Sequence, residues 1–135
     1  MLFVKSLLLV LLPLVIGVSI YACGRPESTL VFSKTGLKTM YHFPHWVIHN
    51  VPDGLWLFSL LNCLHLIWQK TPIVEKVLWM FIVFLLAILS EFLQRAHILA
   101  GTFDYADILA YSIALIVSIF CNNVFLHSSK TLMYE

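Results

Sequence analysis

Three carboxylates, Glu91, Asp104 and Asp107, fall where two strongly apolar stretches of the chain meet. A charge held near hydrocarbon costs on the order of several kcal/mol, so such residues must be paired, hydrated or functional. Gln94, three residues after Glu91, shares its helical face, and Tyr111 lies one turn beyond Asp107. A fourth carboxylate, Asp53, stands ahead of another apolar run. Glu91, Gln94, Asp104, Asp107, Asp53 and Tyr111 therefore form the candidate functional cluster. Carboxylates so placed could bind a ligand, act as a general base, or hold a cation against a phosphate substrate. Each also has a purely structural reading. Asp53 and Asp104 are placed to cap helices, and Glu91 is placed to pair with Arg95.

Other chemistries have less support. The chain has no nucleophile motif, no phosphate-cradling glycine loop and no HExxH, which favours a non-enzymatic role while leaving catalysis open. His42, His45 and His49 would align on one helical face, but Pro44 interrupts it and no Cys or carboxylate stands beside them at ligand spacing. They are expected to pack at an interface, and neither a metal nor a cofactor is implied. Cys23, Cys63 and Cys121 show no CxxC spacing and read as small hydrophobes. A net charge of +1 gives no support for a nucleic-acid partner.

The elements that position these residues are set by composition. With 61% hydrophobic and 11% charged residues and a mean hydropathy of +0.93, the chain is far from the soluble norm of about 25% charged. It reads as an all-α membrane protein, with the bilayer as its main partner and residues 1–135 forming a single domain. A bundle of about four transmembrane helices is expected, over residues 7–22, 53–68, 77–94 and 104–125. Pro13 within the first is tolerable in lipid. Residues 20–23 loosely match a lipoprotein cleavage box at Cys23, but the spans that follow favour an uncleaved helix.

The polar stretch from Cys23 to Val51, ending in Tyr41, His42, His45, Trp46 and His49, is expected to lie along the headgroups as an interfacial loop. Val51 to Gly54 reads as a turn, with Asp53 capping the second helix. In that helix Ser59, Asn62 and His65 form a polar stripe suited to bonding a neighbouring helix. Residues 69–76 read as a connector. In the last helix Ala106, Ala110, Ala114 and Ser118 form a small-residue ridge that allows close approach, within the bundle or to a helix of a membrane complex.

Span parity then brings the pieces together. With four spans, the first and third connections lie on the same membrane side, so Asp53, Glu91, Gln94, Asp104, Asp107 and the loop histidines converge at one face. Lys and Arg divide equally between the two sides, and Lys5 ahead of the first span favours a cytoplasmic N-terminus with the acidic face outside.

Three segments then resemble a known family. Pro52-Asp53-Gly54-Leu55-Trp56, Ser90-Glu91-Phe92-Leu93-Gln94 and the run from Gly101 to Ala110 (Gly-Thr-Phe-Asp-Tyr-Ala-Asp-Ile-Leu-Ala) resemble the VanZ-like family of small bacterial membrane proteins. The likeness covers the second to fourth helices. It departs at Tyr111, where members typically carry Asn, and at Ala114 and Ser118, where members carry a Gly-rich helix. The resemblance implies a multi-pass protein of the bacterial cytoplasmic membrane, associated with the envelope and, through the family's namesake, with glycopeptide (teicoplanin) resistance. On that reading the acidic face binds a glycopeptide or cell-wall precursor. A membrane enzyme for a lipid-linked phosphate, or a small subunit of a larger complex, stand as alternatives.

Overall fold

The computed structural model describes residues 2–24 and 43–131. These residues form four helices: α1 (Leu2–Gly24), α2 (His45–Ile67), α3 (Ile73–Arg95) and α4 (Tyr105–Thr131). Most of the segment expected to lie along the headgroups, including His42, is outside the described residues.

Local chemistry explains where the helices begin and end. Pro44 and Pro72 take extended conformations (ψ of 144° and 148°) just ahead of α2 and α3. The Pro44 carbonyl accepts the Val47 amide at 2.9 Å and so opens the first turn of α2. Proline suits this position because the first amides of a helix have no intrahelical partner to lose. At the far end of α3, His97 adopts a left-handed φ of 58°. Its amide bonds to the Gln94 carbonyl at 3.0 Å, and the Ile98 amide bonds to the Leu93 carbonyl at 2.9 Å. That pair of reversed bonds is a Schellman stop. Asp104 caps α4, its Oδ1 accepting the Ala106 amide at 2.8 Å.

Four boundaries differ from the sequence reading: α1 starts at Leu2 rather than at residue 7 and α4 runs on to Thr131 rather than to 125, and the starts of α2 and α3 move as well. α2 starts at His45 and runs unbroken through Pro52 and Gly54, so residues 51–54 are helix and Asp53 is not a cap. The proline removes one backbone bond, which α2 tolerates with Pro52 itself fully buried. α3 likewise starts at Ile73, which shortens the connector to residues 68–72. There Thr71 Oγ1 donates to the Trp68 carbonyl at 2.8 Å, and the buried Lys76 Nζ donates to the Gln69 carbonyl at 2.8 Å.

α2 is the hub of the bundle, packing on α1, α3 and α4, with α3 also against α4. Small residues let the backbones approach. A side chain at Gly17 would press on the Trp56 indole, and one at Gly54 would lie 3.2 Å from Ala110 Cβ. The small-residue ridge of α4 is thus used: Ala110 faces Gly54, while Ala114 and Ser118 are buried.

The polar stripe of α2 is also used. Ser59 Oγ donates to the Val10 carbonyl of α1 at 2.6 Å, and Asn122 of α4 donates to Asn62 Oδ1 at 3.1 Å. The buried apolar set is small: Leu57, Leu61, Met80 and Ala114. Asn50, Ser59, Asn62, Lys76, Glu91, Asp107, Ser118 and Asn122 are buried alongside it, while Leu, Ile, Val and Phe side chains cover the exterior. A polar interior inside an apolar coat is the arrangement lipid selects. Three helices, over Ser6–Gly24, Ile73–Arg95 and Tyr105–Asn123, are long and apolar enough to cross a membrane.

Candidate polar pocket

The ends of three helices and one connector build a pocket of about 420 Å³, lined by His45, His49 and Asp53 of α2, Glu91 and Gln94 of α3, Gly101, Thr102 and Asp104 of the connector, and Asp107 and Tyr111 of α4. All six candidate residues, Glu91, Gln94, Asp104, Asp107, Asp53 and Tyr111, line it.

Each wall follows from its helix. His45, His49 and Asp53 recur every four residues and so share one face of α2. The two imidazoles stack, with centroids 3.8 Å apart and planes inclined by 16°. Asp107 and Tyr111 are one turn apart on α4, and Glu91 and Gln94 close the pocket from the last turns of α3.

Asn50 ties the walls together. Its Nδ2 donates to Asp107 Oδ1 at 2.7 Å and to Asp104 Oδ2 at 3.0 Å. Asp104 is held below the usual carboxylate range, first by the Ala106 amide, then by the Asn50 amide and the positive influence of His45. Glu91 is almost fully buried, yet its bonds are long: Tyr111 Oη donates at 3.4 Å, the Asp104 amide at 3.4 Å and Gln94 Nε2 at 3.5 Å. It does not follow the expected pairing with Arg95, whose guanidinium instead lies 5.3 Å over the Phe103 ring. A carboxylate can accept about four hydrogen bonds, so Glu91 keeps capacity for further donors.

Gly101 shapes the rim. Its φ of 139° suits glycine, and a side chain there would run into the Gln94 amide. Among the described residues, no three His, Cys, Asp or Glu side chains converge in a geometry that could hold a metal ion.

The sequence reading missed Asn50. The signal was present, because His45, His49 and Asp53 already mark a helical period through this segment. Pro52 concealed it by being read as a turn, although Pro13 had been allowed inside α1. Asn122 was missed too, since the α4 ridge was followed only as far as Ser118.

Chemically, the pocket is rich in acceptors, and among the described residues no Lys or Arg lines it. It suits a ligand that brings cationic or hydrogen-bond-donating groups. Comparison of the chain with protein-family models, with curated proteins and with solved structures gave no match in any of the three.

Proposed function

We propose that the chain is a VanZ-like, four-span protein of the bacterial cytoplasmic membrane whose polar pocket binds an envelope ligand at one membrane face. The ligand is a glycopeptide of the teicoplanin class or the peptide portion of a cell-wall precursor, either of which offers amino and amide donors to the acidic wall.

The observation that carries this reading is the pocket itself: four carboxylates, one each from α2, α3, the α3–α4 connector and α4, gathered around one cavity of about 420 Å³. A fourth span is supported by the length of α2. Its 23 residues, at about 1.5 Å each, measure roughly 35 Å, enough for a hydrocarbon core of about 30 Å. Trp46 near its start and Trp68 just past its end suit the two interfaces. Its lower apolarity comes from Asn50, Ser59 and Asn62, which bond to α4, to α1, and to α4 again. A phosphate substrate is disfavoured by the described lining, where it would meet carboxylates with no Lys or Arg among the described residues to offset them.

The test is a titration of purified full-length protein, in mild detergent, with teicoplanin and separately with a soluble muramyl pentapeptide. Binding by calorimetry is expected for one of them, and Glu91→Gln and Asp107→Asn should weaken it at least tenfold while melting as the wild type does. Failure of both probes to bind, or variants that bind normally, would sink the reading.

A further inference from the structure

The connector between α3 and α4 presents an apolar surface that the pocket does not use. Ile98 is 70% exposed and Leu99 44%, side by side at the tip of the connector. They are fixed there by backbone bonds, since both their amides donate to the Leu93 carbonyl, at 2.9 and 3.3 Å. The same connector, with the helix ends that flank it, carries an aromatic group centred on Phe103. Its ring lies 6.0 Å from Phe92 and 4.7 Å, edge to face, from Tyr105. Phe92 and Tyr105 are themselves exposed. Over the same Phe103 ring sits the exposed guanidinium of Arg95.

Facing water, this end of the molecule would leave Ile98, Leu99, Phe92 and Tyr105 solvated together, a patch of the kind that marks an interaction site. Facing the boundary between headgroups and acyl chains, every member is accommodated. Aliphatic side chains enter the acyl edge, and aromatic rings sit at headgroup level. An arginine at that depth meets lipid phosphate, and the Phe103 ring steadies the guanidinium without neutralising it.

We propose that residues 96–104 form a lip seated in the headgroup–acyl boundary, with Ile98 and Leu99 immersed and Arg95 bound to the phosphate of an anionic phospholipid. This rests on α3 and α4 being membrane spans. The same connector supplies Gly101, Thr102 and Asp104 to the pocket, so the pocket rim lies at headgroup depth. Ligands then reach the acidic wall from the membrane surface layer rather than from bulk water.

The experiment places single spin labels on full-length protein in vesicles, in a background with Cys23, Cys63 and Cys121 replaced by alanine. Labels at Ile98→Cys and Leu99→Cys are compared with Leu86→Cys, on the exposed apolar face of α3, and with Lys70→Cys in the opposite connector. Collision rates with oxygen and with a water-soluble nickel chelate report depth. The expected oxygen-to-nickel ratio at Ile98 is several-fold above that at Lys70 and below that at Leu86. Moving from phosphatidylcholine to phosphatidylglycerol-containing vesicles should deepen the Ile98 label, and Arg95→Gln should abolish that shift. A nickel-accessible Ile98 beside an immersed Leu86 overturns the lip and leaves the spans intact. A nickel-accessible Leu86 overturns the spans as well. An immersed Ile98 that ignores both lipid charge and Arg95→Gln overturns the phosphate contact.

Discussion

Asn50 Nδ2 stands 2.7 Å from Asp107 Oδ1 and reaches Asp104 with the same nitrogen, so one amide of α2 serves both the carboxylate that caps α4 and one in its first turn. Both acceptors must keep those oxygens unprotonated for the bridge to hold. Asn50→Leu should therefore destabilise the bundle by about 2–3 kcal/mol, because a buried acceptor loses its donor. Asn50→Asp should cost more, since it sets a third carboxylate against the other two. Unfolding of purified protein in mixed detergent micelles measures both.

Asp104 gives the pocket a predictable acid response. Its folded pKa is depressed, so it contributes stability at neutral pH that is lost as pH falls below the ordinary carboxylate range through the folded value. Wild-type melting temperature should stay level down to about pH 5 and then decline. In Asp104→Asn the cap survives but the titration does not, so the acid decline should be smaller than in the wild type. Identical pH profiles would remove Asp104 from the account.

Gly101→Ala tests the rim. The added methyl meets the Gln94 amide and also forces an L-residue to a φ of 139°. A loss of about 1–3 kcal/mol is expected. Gly101→Ala in a Gln94→Ala background relieves the collision but not the backbone strain, so it should recover only part of the loss.

Asn62 and Asn122 form a polar contact at the opposite half of the α2–α4 seam. A double-mutant cycle with alanine at both sites should give a coupling of about 0.6 kcal/mol and no more than about 1.7, the average and the maximum found for interhelical bonds in a membrane protein. A coupling near zero would show that each amide finds another partner once its neighbour is removed.

Much of this arrangement is legible in the sequence. Alternating helix direction brings Asp53, His45 and His49 to the end where Glu91, Asp104 and Asp107 already lie in or beside one connector. The small-residue ridge was legible because spacing of four is a helix-packing signal in its own right. The start of α2 was not. Pro52 and Gly54 break helices in water, where a freed carbonyl is solvated cheaply, and that rule hid the eight residues from His45 to Pro52. Glu91 shows a second limit. Arg95 is one turn away in sequence, but Glu91 accepts from Gln94, from the Asp104 amide and from Tyr111 of α4, and no local spacing encodes the last two.

The sparse apolar interior has a calorimetric consequence. Unfolding a water-soluble domain exposes apolar surface and so raises the heat capacity, which bends its stability curve against temperature. Among the described residues most leucine, isoleucine, valine and phenylalanine side chains already face outward, and separating the helices uncovers a small apolar set together with buried amides, hydroxyls and carboxylates. Polar exposure lowers heat capacity, so the two contributions nearly cancel. The bundle's stability should fall almost linearly on heating, with no optimum near room temperature and no loss of structure in the cold.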